Sequence, residues 1–149
     1  PISTLKVMAQ RAFEQTACKN ILVAIDARMD EVYWGAYYLD AAAPETMLWK
    51  TDGEESVISP DKIDLPGMLA QPNASWVGAG TGWESYADRL LSGDDFTLQA
   101  ILVDCFPSAE VMVKLAVSEL QAGNTIKAEQ AIPVYLRNDV AKKPKPVVL

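Results

Sequence analysis

This chain of 149 residues contains no histidine. Ser-His-Asp and Cys-His catalytic arrangements, His-ligated zinc and imidazole acid-base catalysis all require that residue. The two cysteines, Cys18 and Cys105, form no C-x-x-C pair, which excludes a structural zinc site and argues against a disulfide framework. Any chemistry in this chain would have to use carboxylates, and the cysteine usage indicates a reducing cytoplasm.

Long apolar runs and basic residues are also scarce. The apolar runs at 21–25 and 100–103 fall far short of the roughly 20 residues that a membrane helix needs. Thirteen Lys and Arg against twenty Asp and Glu give a net charge of −7. Three of the lysines, Lys142, Lys143 and Lys145, lie in a tail without acids, so the rest of the chain is more acidic still. Such a surface repels phosphate backbones, and direct binding of nucleic acid is not expected.

The length is that of one domain, and such a domain buries about 70% of the surface of its unfolded chain. Residues 1–6 lack both an initiator Met and the charged-then-apolar layout of a signal peptide. We therefore expect a fragment of a longer protein, with a hydrophobic core of its own.

Apolar spacing predicts the first three elements. An amphipathic helix that Ser3 or Thr4 caps is predicted by the stripe Ile2, Leu5, Met8, Ala9, Ala12 and Phe13. Residues 21–25 predict a strand buried on both faces. Residues 32–38 alternate as in a second strand, and 28–31 turn between the two.

Helices and strands alternate further along the chain. The expected elements are a strand at 46–51, a loop over 54–64, a short helix near 65–70, a strand at 75–77, a helix that Gly93 stops, a strand at 100–103 and a helix that Pro107 and Ser108 start. Thr81 and Glu84 fit the capping box of the middle helix. On the last helix the residues expected to face the core are Ala109, Met112, Val113, Ala116, Val117 and Leu120.

Three early strands with short connections are expected to pair antiparallel, and later strands separated by helices to add in parallel. This βββαβαβα order is that of a ribonuclease-H-like mixed sheet. The alternative is a generic doubly wound sheet, which would need helices between the early strands. The predicted boundaries are a helix over 1–17, a domain over 18–137 and a basic, flexible tail over 138–149.

A carboxylate cluster at the hairpin turn is the first candidate site. Asp26, Asp30 and Glu31 could bind Mg²⁺, since hard cations prefer oxygen ligands. The alternative is a charged turn in which Arg28 offsets its acidic neighbours.

A glycine-rich segment between a strand and a helix is the second candidate. Gly78, Gly80, Thr81 and Gly82 could hold a phosphate or another anion through backbone N–H groups. The spacing matches neither the dinucleotide fingerprint nor a P-loop. A tight strand-to-helix turn is the alternative.

Two apolar groups are candidates for contact surfaces. The aromatic set Tyr33, Trp34, Tyr37 and Tyr38 lacks interleaved Lys and Arg, so core packing on one face and a partner interface on the other explain it better than base stacking. The stripe Leu5, Met8, Ala9, Ala12 and Phe13 is expected to be core, but in a truncated chain it could be exposed and favour self-association.

Four segments in order resemble the bacterial TsaB (YeaZ) family. They read Ile-Ser-Thr-Leu at 2–5, Ile-Asp-Ala-Arg at 25–28 with Glu-Val-Tyr at 31–33, Gly-Thr-Gly-Trp at 80–83 and Pro-Val-Tyr-Leu-Arg at 133–137. The resemblance implies the second of two ribonuclease-H-like halves of a protein in the actin, sugar-kinase and heat-shock-chaperone superfamily. The helix over 2–16 resembles the one that links the halves.

The same resemblance implies a function without catalysis. Family members support a TsaD-type catalytic subunit that forms threonylcarbamoyladenosine at position 37 of tRNA, and they recruit a TsaE-type ATPase. It implies no catalytic residue and no cofactor in this fragment, with ATP or ADP and Mg²⁺ in the full complex, and a homodimer as a further option. Some members are labelled glycoproteases or resuscitation-promoting factors. The alternatives are therefore a peptidase using Asp26 and Glu31, or a nucleotide-binding module using 78–82.

Overall fold

Three helices and six strands make up the computed structural model, which describes residues 1–39, 46–63, 75–91 and 98–137. The helices are α1 (Thr4–Thr16), α2 (Gly82–Leu90) and α3 (Ala109–Gln121). The strands are β1 (Asn20–Asp26), β2 (Val32–Tyr38), β3 (Lys50–Thr51), β4 (Ser56–Ile58), β5 (Val77–Ala79) and β6 (Ala100–Leu102). Short 3₁₀ turns occupy Pro60–Lys62 and Ala128–Gln130. Within these ranges no helix is long and apolar enough to cross a membrane.

The strands form one mixed sheet in the order β3-β2-β1-β5-β6, and β4 also pairs with β2. β1 and β2 are antiparallel over their full length, from Asn20 opposite Tyr38 to Asp26 opposite Val32. β5 runs parallel to β1, with Val77 beside Ile21, and β6 runs parallel to β5. The prediction of early antiparallel and later parallel strands is therefore confirmed.

Both faces of β1 are buried, as its continuous apolar run predicts. Ile21 and Val23 pack in the cluster that holds α1 and α3, whereas Leu22 and Ala24 pack in the cluster that holds α2. The sheet is thus the middle layer, because side chains alternate between the faces of a strand.

The predicted first helix and its cap are confirmed in α1. Ser3 Oγ accepts hydrogen bonds from the backbone N–H groups of Leu5 and Lys6, at 3.1 and 3.4 Å. The predicted apolar stripe of this helix packs on the sheet, and four of its members, Leu5, Met8, Ala9 and Ala12, are buried. Phe13 is half-buried, with its ring edge-on to Trp49. The stripe is therefore part of the core of this chain and offers little free surface for a partner.

The segment after β2 differs from the prediction. The third strand is limited to Lys50–Thr51, and the predicted loop over 54–64 contains β4, which pairs with the first half of β2. The sequence did not predict β4, because polar residues precede Val57 and only two residues of the strand are apolar. β5 begins at Val77, two residues later than predicted, and the predicted helix near 65–70 lies outside the described residues.

The predicted core face of α3 is wrong. Val111 and Leu115 are the buried residues of this helix, while the six predicted core residues all lie on its exposed side. This rotation packs Val111 and Leu115 in the cluster that also holds α1. It also forms two ion pairs to α1, Lys6 with Glu119 at 3.1 Å and Lys114 with Glu14 at 3.4 Å. Both faces of α3 are apolar, so the spacing of its residues alone did not identify the buried one.

The predicted capping box of α2 is also wrong. Thr81 has helical backbone angles, φ −66 and ψ −21, and its side chain caps nothing in the helix. Its Oγ1 instead accepts a hydrogen bond from the Asp26 N–H at 3.1 Å. The helix ends at Leu90, and Gly93, which was expected to stop it, lies outside the described residues.

Candidate functional site

Two of the predicted motifs meet where the parallel strands β1 and β5 end. Asp26 is the last residue of β1, and the glycine-rich turn follows β5. The bond from the Asp26 N–H to Thr81 Oγ1 joins them. The carboxyl ends of parallel strands are a common place for ligands in α/β proteins. This edge is therefore the natural place to look for chemistry.

The hairpin turn has an unusual backbone at this edge. Arg28, Met29 and Asp30 all have left-handed angles, with φ between 57 and 63. The turn is closed by the Ala27 N–H donating to Glu31 O at 2.9 Å and by the Arg28 N–H donating to Asp26 Oδ1 at 2.8 Å. Asp26 thus supports the turn, and its carboxylate faces its own backbone.

The three candidate metal ligands do not converge. Asp30 pairs with Arg89 of α2, and Glu31 pairs with Arg137 at 2.6 Å. Asp26 accepts the backbone bond of the turn. Among the described residues no group of three or more acidic or cysteine side chains could hold a metal ion. The geometry is that of a charged turn whose acids have separate partners.

Arg89 joins three segments at this edge, a role that the sequence did not indicate. Besides Asp30, its guanidinium donates to Asp61 in the Pro60–Lys62 turn and stacks over the Tyr86 ring at 5.4 Å. The hydrogen bond from Arg89 holds the pKa of Asp61 below its usual value. Because these carboxylates are exposed, the network fixes positions more than it stabilises the fold.

The glycine-rich turn is explained by close packing. A Cβ on Gly80 would lie 2.5 Å from the Ala24 carbonyl oxygen, and one on Gly82 would lie 2.9 Å from the Ala24 Cβ. A Cβ on Gly78 would meet the Trp83 ring at 2.8 Å. The Gly80 N–H is already used, since it donates to Leu102 O at 2.9 Å. The arrangement is that of a tight strand-to-helix turn.

An open cleft of about 1050 Å³ lies beside this edge. Residues 1–6 at the start of α1 form one wall, and residues 132–137 form another. The ion pair of Arg137 with Glu31 ties the second wall to the hairpin turn. The motif at 133–137 was noted in the sequence, but nothing in it revealed that its arginine reaches the hairpin.

Tyr37 and Glu55 form a part-buried hydrogen bond beside the cleft, whose lining includes Glu55. The Tyr37 hydroxyl donates to Glu55 Oε1, and the Tyr37 side chain is fully buried. Burial raises the pKa of Tyr37 well above its usual value, and the hydrogen bond to Glu55 raises it further. The folded chain therefore keeps this proton at pH values where the unfolded chain loses it.

The hydroxyl proton of Tyr37 makes the free energy of unfolding depend on pH in the alkaline range. The contribution is complete below about pH 10, the pKa of an unfolded tyrosine, and it is lost as pH rises above that value. We expect urea midpoints to fall between about pH 10 and 12 in the unaltered chain, and Tyr37→Phe to flatten that decline. Tyr135→Phe, on an exposed ring, is the matched control. Equal slopes for the two variants would contradict the prediction.

The chain is similar in sequence to proteins from two organisms that carry the same name. The chain is 38% identical over 148 residues to the tRNA threonylcarbamoyladenosine biosynthesis protein TsaB of Escherichia coli K12, covering 97% of this chain and 59% of that protein. It is 37% identical over 152 residues to the protein of the same name from Haemophilus influenzae, covering 98% and 59%. No family model matches the chain.

Two solved structures are also similar to this chain, in fold and in sequence. YeaZ from Pseudomonas aeruginosa superposes with a TM-score of 0.74 at 37% identity, covering 91% of this chain and 57% of that one. A second structure from the same organism, described as an uncharacterized protein with similarity to peptidase YEAZ, gives 0.75 at 38% identity. The chain spans about 59% of the length of these two curated relatives.

Proposed function

Because this chain belongs to the TsaB (YeaZ) family, as the C-terminal half of such a protein, we propose that it is part of a non-catalytic scaffold subunit in tRNA threonylcarbamoyladenosine formation. The observation that carries the proposal is the 38% identity to TsaB of Escherichia coli over 97% of the chain. The missing histidine and the separate partners of Asp26, Asp30 and Glu31 support a role without catalysis.

The strand order supports a ribonuclease-H-like domain over 18–137. An antiparallel β3-β2-β1 unit is extended by the parallel strands β5 and β6, with α2 crossing between them. In this proposal α1 is the helix that links the two halves, and it packs on the sheet of the second half. The expected basic tail over 138–149 lies outside the described residues.

The proposed partners are a TsaD-type catalytic subunit and a TsaE-type ATPase, in the cytoplasm. Any ATP, ADP or Mg²⁺ would be bound by those subunits. The glycine-rich turn supports this division, because the Gly80 N–H that could hold a phosphate already donates to Leu102 O. The net charge of −7 supports binding to proteins and not directly to tRNA.

Complementation tests the proposal. In Escherichia coli depleted of TsaB, a chimera whose matched part is replaced by this chain should restore threonylcarbamoyladenosine, measured by mass spectrometry of digested tRNA. The 149-residue chain alone should not, because it covers only 59% of that protein. A folded, soluble chimera that restores no modified adenosine would refute the assignment.

An Asp26→Ala version of the chimera separates scaffold from enzyme. The scaffold proposal expects full restoration, because Asp26 contributes only a turn hydrogen bond. Loss of the modification in a variant with an unchanged melting temperature would instead identify a catalytic carboxylate.

A further inference from the structure

Met29 is an exposed methionine at the tip of the hairpin turn. Its side chain is 75% exposed, whereas that of Met112 is 39% and that of Met8 is 2% exposed. Its backbone is also left-handed, with φ +57. Two-electron oxidants such as peroxides convert an accessible thioether to a sulfoxide. Among the methionines that the structure describes, Met29 is therefore expected to react first with peroxide.

The sulfur of Met29 already lies beside a cationic hydrogen-bond donor. Arg137 Nη1 donates to Met29 Sδ at 3.2 Å, while Arg137 Nη2 donates to Glu31 Oε2 at 2.6 Å. A thioether sulfur is a weak acceptor, but a sulfoxide places a polar oxygen on the same atom. Hydrogen bonds from an ionised donor are the stronger kind. Because Glu31 occupies Nη2, the Nη1 donor remains available to that oxygen.

Arg137 also holds the strap, defined here as residues 132–137, to the rest of the chain. Over the described ranges the backbone of 133–137 makes no hydrogen bond, and the side-chain hydrogen bonds of the strap are those of Arg137 to the hairpin turn. Val134 and Tyr135 are 80 and 77% exposed, so they add little packing. The strength of the bonds from Arg137 therefore largely determines how firmly the strap is held.

Oxidation of Met29 would disturb no core contact. A sulfoxide destabilises a protein when its oxygen is forced into apolar surroundings. Met29 belongs to neither of the two core clusters, and its exposed side chain lets the oxygen face water or Arg137. The position thus tolerates the modification and offers its product a partner.

We propose that Met29 is a site of reversible oxidation, and that its sulfoxide oxygen accepts the hydrogen bond of Arg137 Nη1 and so fastens the strap to the hairpin turn. In the forward step a sulfur lone pair attacks one oxygen of hydrogen peroxide. The S–O bond forms, the O–O bond breaks, and the departing hydroxide takes the proton of the transferred oxygen and leaves as water. Sulfur loses two electrons and the peroxide gains them.

The reverse step requires a methionine sulfoxide reductase. That enzyme removes the oxygen as water, with electrons from two thiols that become a disulfide. Because the strap forms one wall of the cleft, the oxidised chain has a firmer cleft wall and the reduced chain a looser one.

Limited proteolysis before and after oxidation tests the fastening. The 149-residue chain is treated with hydrogen peroxide until peptide mass spectrometry shows one added oxygen at Met29. Cleavage by chymotrypsin after Tyr135, in the strap, should then slow about fivefold, because the protease needs the strap to detach. A methionine sulfoxide reductase with a thiol should restore the original rate.

Three variants assign the effect to the two residues. Met29→Leu keeps a side chain of similar volume that accepts no oxygen, so peroxide should leave its cleavage rate unchanged. Arg137→Leu should also lose the response to peroxide, whatever its starting rate. Met112→Leu removes another exposed methionine and should keep the full response, so it is the matched control. Circular dichroism checks that all variants fold.

Each of several results would overturn the proposal. Unchanged or faster cleavage of the chain oxidised at Met29 would show that the sulfoxide does not fasten the strap. Equal slowing in Met29→Leu or in Arg137→Leu would assign the effect to another group. Oxidation of Met112 ahead of Met29, or a modification that the reductase does not remove, would rule out Met29 as the reversible site.

Discussion

Replacement of Gly80 by alanine should lower the free energy of unfolding by about 4 kcal/mol, through two costs that add. Gly80 has φ +106, where an L-residue is strained by about 1–2 kcal/mol. Its new Cβ would also lie 2.5 Å from the Ala24 carbonyl oxygen and 2.8 Å from the Met8 side chain. Overpacking of this kind costs about 1–3 kcal/mol, and here β1 backbone would have to move.

Two other glycines separate these costs. Gly123 has φ +78 with nothing within 4 Å of a Cβ, so Gly123→Ala should lose only the dihedral part, about 1 kcal/mol. Gly82 lies outside the left-handed region, but its Cβ would be 2.9 Å from that of Ala24, so Gly82→Ala should lose only the steric part, about 2 kcal/mol. Urea unfolding of the three variants measures this. Equal losses at Gly80 and Gly123 would show that the contact with Ala24 has no energetic weight.

Replacement of Trp83 by alanine should lower the free energy of unfolding by about 4 kcal/mol, as expected for a large aromatic residue removed from a core. The side chain is 1% exposed, lies 6.3 Å from the Trp34 ring and donates from Nε1 to the Leu22 carbonyl at 3.0 Å. It therefore holds α2 against the middle strand of the sheet by both packing and a hydrogen bond.

Trp76 provides the matched control for that hydrogen bond. It is also 1% exposed, but its Nε1 has no hydrogen-bond partner within the part of the chain that the structure describes. Trp83→Phe should therefore cost about 1 kcal/mol more than Trp76→Phe, since both lose similar ring volume and only one loses a bond. Urea unfolding followed by circular dichroism measures both. A Trp76→Phe loss equal to or larger than that of Trp83→Phe would contradict the assigned role of the bond.

The elements predicted well are those whose signal is local. The cap at Ser3, the stripe of α1 and the alternation in β2 each lie within a few residues, and the structure confirms them. The pairing of β1 with β2 followed from a short connection, and the parallel strands followed from helical crossovers. Periodicity and connection length were sufficient for this part of the fold.

The parts missed depend on neighbours that are distant in the chain. The rotation of α3 buries Val111 and Leu115 against α1 and forms ion pairs with that distant helix. Either face of that helix satisfied the apolar spacing. Thr81 likewise looked like a cap, but the end of β1 offered its hydroxyl a different donor. A single sequence does not contain the positions of such partners.

The candidate site was predicted by residue type but not by arrangement. The acids of the hairpin turn were identified, whereas the arginines that hold them, Arg89 and Arg137, come from remote segments. The glycines were assigned to a turn, but glycine is required at Gly80 and Gly82 because Ala24 on the neighbouring strand lies too close for a Cβ. Only the strand order brings that residue beneath the turn.

The left-handed backbone of the hairpin turn between β1 and β2 determines which amino-acid chirality it favours. Arg28, Met29 and Asp30 wind in the sense opposite to that of α1, α2 and α3. L-residues are disfavoured in the left-handed conformation by about 1–2 kcal/mol each, whereas D-residues favour it. At these three positions a chemically synthesised chain could therefore carry D-amino acids without loss of the native turn.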